Sequence, residues 1–581
     1  MSQPLVKDII HNMVAAAIER ARAEGVLQLE AAPNIEIERP SNPSHGDFAT
    51  NLPLQLARAT RINPVKLAEM VVERIPGADE LERVETSPPG FVNFYLNDSW
   101  IQQQVEAIRQ AGPEFGNVDA GRGQRVMVEF VSVNPTGPVH VGHARGAVLG
   151  STLANTLRAA GYDVTREYYV NDSGNQMDAF YRSVYARYRQ GLGQDAEMPA
   201  NAYVGDYVKE IAQELIDSVG DRFLPEKRAG LPAGLDEEQA IKEIGALARE
   251  KIIEVIREDL IQIGVEFENW FTESSLFQNQ EYEQAMDLLR RGNYLSERDG
   301  ATWFNSNLPG GSPGSSSEGS NEGEDRDSVV VRSTGEPTYF ASDIAYHYNK
   351  FLKRGFQRVI DIWGADHQGH VSRMKAAVSA MGVDADALTI LISQLVTLKR
   401  GSETVRASKR TGEFVTLREL VDDVGLDACR FFFLARAAST HMEFDLELAK
   451  KESSENPVYY VQYAHARNHS ILNLAHERGI DWSSGDVALL TDPNELNLIR
   501  TMIRLPELVE QAARALEPHH LPHYALELAT AFHGFYENCR VISANPEDAE
   551  VTLARLKLVE AAQVVFRRCL GLMGMSAPEH M

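Results

Sequence analysis

One stretch of sequence does most to limit what this chain can fold into. RVMVEFVSV at residues 125–133 is apolar and β-branched, the turn NPTGP follows, and from Val141 to Ala160 the pattern is helical. Gly161 suits the position just past a helix end, and VTREYYV at 164–170 is a second strand. Strand, tight turn, helix and strand in such close succession make a βαβ unit, which demands parallel pairing in a sheet of Rossmann type.

The remaining sequence arranges itself around that unit. Residues 1–24 and 50–74 have helical periodicity, the second segment split at Asn63-Pro64, while IEIERP and GFVNFYL alternate like strands. Residues 1–112 therefore read as a small α+β domain, and GPEFGNVDAGRG at 112–123 as a linker. Residues 175–300 are helical and charged, an insertion covering the sheet. Residues 305–328 are rich in Gly, Ser and Glu and read as a flexible surface loop. VVVRS at 329–333 and RVIDIWGADH at 358–367 resume the sheet, so the α/β domain runs over 113–425. From Leu426 the pattern is helical almost to Met581, which gives an all-α domain over 426–581. The expected fold class is α/β: a Rossmann-type parallel-sheet domain with helical insertions, a small N-terminal α+β domain and an all-α C-terminal domain.

Composition narrows the partners and the compartment. Lys and Arg number 57 against 83 Asp and Glu, a net charge of −26, which excludes indiscriminate binding of polyanions. The excess is spread along the chain: residues 1–110 and 456–581 each carry 10 basic and 15 acidic side chains. Cys429, Cys539 and Cys569 have no C-x-x-C spacing and read as buried thiols of a reducing compartment. The first helix carries charges within its pattern, unlike a signal peptide, and no run of about 18 uncharged apolar residues offers a membrane span. A cytoplasmic protein with no membrane contact is expected.

Two constellations carry chemistry. The first is Asn134-Pro-Thr-Gly-Pro-Val-His140-Val-Gly142-His143, at a strand-to-helix turn. A helix N-terminus offers free N–H groups and partial positive charge to phosphate. Two histidines three residues apart on its first turn can donate to a triphosphate, and Gly142 leaves room for a flat base on the backbone. The bland alternatives are a pair of helix-capping histidines or half a metal site. The second constellation is Arg406-Ala-Ser408-Lys409-Arg410-Thr-Gly, some 266 residues downstream in a polar loop. Adjacent cations and a hydroxyl there can close over pyrophosphate, although a basic loop by itself is ordinarily solvated surface.

Taken together these motifs resemble the HIGH and KMSKS signatures of class I aminoacyl-tRNA synthetases. VEFVSVNPTGPVHVGHARGAVLG, VNDSGNQMD, GEPTYFASDIAYH, IWGADHQGHV and GLDACRFFFLAR further resemble bacterial arginyl-tRNA synthetase, along essentially the whole chain. The resemblance implies that His140 and His143 hold ATP and its transition state and that Lys409 binds the departing pyrophosphate. It implies an ATP-binding role for Gly142, Arg406, Ser408 and Arg410. The loop departs from KMSKS at Arg406, Ala407 and Arg410, with Arg406 the conservative replacement for the first lysine. Arginine is a permanently charged planar fork, and a selective pocket for it requires carboxylates. The resemblance places that pocket at Glu129, Asn134, His143, Glu273, Tyr339, Asp343 and His367, with Asp343 and Glu273 facing the guanidinium, Tyr339 walling the pocket and Asn134 fixing the backbone end. Asp343 falls one helical turn after Tyr339; its bland alternative is a first-turn carboxylate near a helix dipole.

Asp366, His367 and His370 have the spacing D-H-x-x-H, but follow a buried strand, where histidine ordinarily satisfies local hydrogen bonds; no metal site is assigned. Mg2+ enters only as the companion of ATP, which is a substrate, and no permanent cofactor is expected. The resemblance further implies tRNA(Arg) and L-arginine as partners, a monomer, and an anticodon-binding C-terminal domain introduced by Asp427-Ala-Cys429-Arg430, where leucine is usual at the third place. Tyr459, Tyr460 and Tyr463 begin that domain's first helix and suit stacking on unpaired bases. The N-terminal module would contact the outer corner of the tRNA. Two rivals remain: an adenylate-forming ligase that uses no tRNA, which leaves both terminal domains without a task, and a catalytically dead paralogue, which intact His140, His143 and Lys409 oppose. On so acidic a chain, tRNA must be held by local basic tracks.

Overall fold

The structure, a computed structural model, describes residues 5–581 except residue 30 and residues 225–234, 307–327, 402 and 406–414. Its centre is a five-stranded, wholly parallel sheet in the order Leu388–Ser393, Arg358–Gly364, Arg125–Glu129, Asp163–Val170, Asn269–Thr272. The βαβ unit read from the sequence occupies the middle of this sheet, its helix running from Val141 to Ala159 with Gly161 at φ +85° beyond. Fourteen residues of that helix are buried, which suits a crossover helix pressed between the sheet and the helical C-terminal part.

Several boundaries differ from the sequence reading, each for a physical reason. The strand expected over 125–133 ends at Glu129, because Val131 (φ 69°) and Ser132 (φ 44°) adopt left-handed backbone and turn the chain off the sheet. IEIERP makes no strand; it contributes one bridge, Glu38 to Ala49, beside an antiparallel sheet of Phe48–Thr50, Phe91–Leu96 and Leu81–Ser87. The helical stretch expected over 175–300 contains Asn175–Gly191, Asp206–Val219 and Leu235–Gln262, then yields Asn269–Thr272 as the edge strand of the parallel sheet. VVVRS does not resume that sheet: Ser328–Val331 joins Ala301–Phe304 and Leu295–Arg298 in a separate antiparallel sheet. The loop expected over 305–328 falls largely on residues 307–327, outside the described residues.

From Leu426 onward the chain is helical apart from Met442–Asp445, a strand that pairs in parallel with Val396–Arg400 and ties the C-terminal part back to the α/β part. Arg430 is wholly buried at this joint. Its guanidinium donates to the Ile263 carbonyl (2.6 Å), to Ser151 Oγ (2.8 Å) and to the Met573 carbonyl, so one side chain fastens three regions. Asp427 accepts from the Ser576 N–H (2.8 Å) and from Gln462 (2.7 Å), which makes the D-A-C-R segment a structural joint. The N-terminal part docks on the C-terminal helices through Arg109 to Glu560 (2.8 Å), Lys557 to Glu106 (2.5 Å) and Arg39 to Glu507 (2.9 Å). Cys429, Cys539 and Cys569 are buried free thiols.

Candidate active site

Every sheet strand points its C-terminal end toward one edge, and the chain segments that leave those ends form the cleft expected of such sheets. Glu129 is the last residue of its strand, Glu273 follows Thr272 directly, and His367 lies three residues beyond Gly364. Ser132 fixes the first departure: its hydroxyl donates to Glu129 Oε1 (2.9 Å) and accepts from the Tyr169 N–H (3.1 Å).

His140 is the N-cap of the Val141–Ala159 helix, its Nδ1 accepting from the Gly142 N–H at 3.1 Å. The capping alternative is thus realised for His140, and it settles the tautomer: Nδ1 accepts, so Nε2 carries the proton and is the donor. The His143 ring lies 3.8 Å away, centroid to centroid. A Cβ on Gly142 would stand 2.7 Å from His140 Cε1, so glycine is what lets the ring turn back on its own helix.

Arg406, Ser408, Lys409 and Arg410 lie outside the described residues, but both stems of their loop are described. His140 forms a β-bridge with Thr416; the Val141 N–H donates to the Val415 carbonyl (3.1 Å) and the Leu417 N–H to the Val139 carbonyl (2.7 Å). Asp259, buried on the Leu235–Gln262 helix, accepts from the Val139 N–H (3.2 Å) and from Arg418 (3.0 Å), bracketing both strands. On the other side the Val405 N–H donates to the Leu398 carbonyl (2.9 Å). Arg145, wholly buried one turn into the helix, donates to the carbonyls of Gln394 (3.1 Å), Ala437 (2.7 Å) and Thr440 (2.6 Å). Segments far apart in sequence are therefore stitched together, largely through the main chain.

Carboxylates gather on the other side of the cleft. Glu129, Asp172 and Glu273 are buried, and Asp343 lies one turn along the Tyr339–Tyr348 helix. The buried Tyr169 hydroxyl feels all four charges and is pushed well above the usual phenol range, first by burial and then by Glu273, Asp343, Glu129 and Asp172. Two of the carboxylates have cations of their own: Arg249 on Asp172 (2.9 Å) and Lys350 on Glu129 (2.5 Å). Glu273 is held by neutral donors, Ser342, Ser173 and the Asn171 amide (2.8 Å with its NH2 turned to the carboxylate). Burial, and then repulsion from Glu273, pushes the Asp343 carboxyl up to about 7. Two carboxylates that repel across a cleft are relieved by a cation placed between them.

Of the residues expected to line the pocket, Asn134 reaches the VNDSGNQMD segment through Gln176 (2.7 Å), and Tyr339, 53% exposed, packs its hydroxyl over Gly174, where a Cβ would meet it at 2.9 Å. His367 lies beside Asp366 (3.5 Å), Trp363 and His370. Asp366, His367 and His370 do not converge; among the described residues only Glu517, His519 and His520 bring three ligand atoms within 4.8 Å of one another. Sequence reasoning missed Tyr169, Asn171, Asp172 and Lys350. Tyr169 had a signal, since it shares a face of its strand with Glu167 and both point the same way as a strand's alternate residues do.

A parallel five-stranded α/β sheet, with an HVGH helix cap bridged to the stem of a distant S-K-R loop, defines a class I aminoacyl-tRNA synthetase. Three family models match in order: arginyl tRNA synthetase N terminal domain over residues 8–96, tRNA synthetases class I (R) catalytic domain over 104–432, and DALR anticodon binding domain over 461–581. The arginine–tRNA ligase of Dehalococcoides mccartyi strain BAV1 is 52% identical over 576 residues, covering 99% of both chains, and that of Heliobacterium modesticaldum is 46% identical over 575 residues, covering 98% of both. Thermus thermophilus arginyl-tRNA synthetase shares the fold at a TM-score of 0.76 and 21% identity, over 99% of this chain and 100% of that one. The chain belongs to the arginyl-tRNA synthetase family, the arginine–tRNA ligases.

Proposed function

We propose that the chain activates L-arginine with ATP, supplied as its Mg2+ complex, and passes the arginyl group to the 3′-terminal ribose of tRNA(Arg), releasing AMP and pyrophosphate. The observation that carries this reading is a pair of carboxylates on two separate segments: Ser342, next to Asp343 in its helix, hydrogen-bonds Glu273, and the two charges repel. A guanidinium lying between the two carboxylates offers each a planar pair of donors and cancels their repulsion. Tyr339 walls this space, Glu129 and Asn134 hold the backbone end, and His367 closes the rim. The arginine carboxylate then attacks the α-phosphate in line. His140 and His143 donate to the charge developing there, and Lys409, with Arg406, Ser408 and Arg410, neutralises the departing pyrophosphate. No side chain serves as nucleophile, so catalysis is positioning and electrostatics.

The terminal regions give the tRNA its grip. Residues 1–112 take the outer corner and 426–581 the anticodon. A surface cluster supports the latter: Tyr460 against His533 (4.7 Å), Tyr459 stacked on Tyr463 (6.0 Å), and Arg467 over Tyr463 (5.2 Å) and Tyr536 (5.1 Å), a platform on which unpaired bases stack. No described helix is long and apolar enough to cross a membrane, and three buried free thiols suit a reducing cytoplasm; a cytoplasmic monomer completes the reading. ATP–pyrophosphate exchange with each amino acid, with and without tRNA, tests it. Exchange is expected with arginine alone and only when tRNA(Arg) is present. Equal exchange with lysine, or none with arginine, would sink the reading.

A further inference from the structure

Beneath the carboxylates lies a cation that the reaction itself does not call for. Past Tyr348 the helix widens into a π turn over Asn349–Lys353, and the wider turn swings Lys350 inward instead of leaving it among the solvated cations of NKFLKR. Lys350 is wholly buried. Its ammonium donates to Glu129 Oε2 (2.5 Å) and Asp361 Oδ1 (2.8 Å), and it stands 4.1 Å over the Tyr346 ring, which accounts for all three of its donors.

The contacts continue in both directions. Asp361 Oδ2 lies 2.9 Å from His347 Nε2, and His347 Nδ1 lies 2.8 Å from the Asp343 carbonyl. Both ring nitrogens therefore meet an oxygen. At the other end Ser132 donates to Glu129 Oε1 (2.9 Å). An unbroken chain of polar contacts thus runs Ser132, Glu129, Lys350, Asp361, His347, Asp343, joining the strand that leads into HVGH, the strand that leads to His367 and the helix that carries Tyr339 and Asp343. Three of the elements that supply the pocket are gripped by it; those bearing Glu273 and His143 lie outside it.

We propose that Lys350 is a positioning residue for the arginine pocket: its buried ammonium, held between Glu129 and Asp361, fixes the Glu129 carboxylate in place and so sets the affinity for arginine. This rests on the reading of the cleft given above. Each Glu129 oxygen has one protein donor and keeps a further lone pair for a substrate N–H. Burial and the nearby Asp361 push Glu129 toward its neutral form, and Lys350 is the charge that opposes them. A buried ion triad is rarely worth more to stability than the apolar residues that would replace it, so a triad set directly under a binding cleft points to the cleft.

Lys350→Met in the full chain, followed by ATP–pyrophosphate exchange with tRNA(Arg) present, is expected to raise the KM for arginine by about 30-fold or more, while the KM values for ATP and tRNA stay within about threefold. Lys350→Gln, which keeps one donor for Glu129, is expected to recover much of that loss. Asp343→Ala is measured beside them. A raised arginine KM in Asp343→Ala with an unchanged one in Lys350→Met would overturn the proposal and leave the pocket standing; an unchanged value in both would remove the pocket and the proposal together. A common rise of all three KM values, a fall in kcat with the arginine KM unmoved, or loss of cooperative melting in both Lys350 variants would mark Lys350 as structural and overturn the proposal.

Discussion

The two halves of the cleft are built by different means. Where His140, Gly142 and His143 meet the stem of the 406–414 loop, the links are main chain: a helix cap, a β-bridge between His140 and Thr416, and carbonyl contacts from Arg145. Where Glu129, Glu273 and Asp343 gather around Tyr169, the links are side chains from four separate segments, and the Glu273 and Asp343 carboxylates repel one another. A site made by backbone needs particular residues only where a ring or a glycine must fit. A site made by charge needs a whole set of partners, and its properties depend on proton occupancy. The halves should therefore fail differently.

The largest effect is expected on the charged side. Asp343→Ala should cost about 10³-fold in kcat/KM for arginine with the KM for ATP unmoved, because the truncation leaves the guanidinium with Glu273 as its one remaining carboxylate of the pair. Near-normal arginine affinity in that variant would take Asp343 out of the pocket. Lys409→Ala should lower kcat by about 10²–10³-fold and spare arginine binding, since its charge is used as pyrophosphate leaves; steady-state exchange kinetics separate the two parameters. Gly142→Ala places a methyl 2.7 Å from the His140 ring and should cost about 10–10²-fold in kcat/KM for ATP, the KM for ATP rising through the displaced cap. The fold should be retained, which a thermal melt checks.

Proton occupancy gives a smaller and more diagnostic signature. Burial, then Glu273, pushes the Asp343 carboxyl up to about 7, whereas an unfolded chain holds Asp near 3.9. With Asp343 in the proposed arginine pocket, the substrate requires the ionised form, so its affinity should rise with pH by up to about tenfold per unit below pH 7 and level off above it. Stability moves the other way. The folded chain binds this proton more tightly than the unfolded one, so Asp343's contribution falls as pH rises from about 4 to about 7. Calorimetry of arginine binding at pH 6.5 in buffers of different ionisation enthalpy should reveal proton release; a heat independent of buffer would contradict it. The smallest effect is expected far from the cleft: Arg109→Ala, breaking its pair with Glu560, should change stability by no more than about 1 kcal/mol by thermal melt.

The same contrast explains how much was legible in the sequence. The βαβ unit, its HVGH cap and the split at Asn63-Pro64 were legible because local rules govern them: strand alternation, a cap, and Pro64 at the first helical position with Asn63 accepting from the Val65 N–H. The end of the strand at Glu129 was not, since nothing local marks Val131 and Ser132 as left-handed; Ser132 is held there by Glu129 and Tyr169. VVVRS reads as a strand but cannot say which sheet it joins. Asp343 and Glu273 were named through the family pattern, whereas Lys350 was hidden in a basic run that only a π turn converts into a buried cation. Arg145 and Asp259 were missed for a like reason, their partners lying more than a hundred residues away.

The separation of the two halves is tested most directly by measuring the KM for ATP and the KM for arginine together in Gly142→Ala and Asp343→Ala, by tRNA-supported ATP–pyrophosphate exchange. The account predicts opposite patterns: Gly142→Ala disturbs ATP use with arginine affinity kept, and Asp343→Ala disturbs arginine affinity with ATP kept. Both constants rising together in both variants would contradict it.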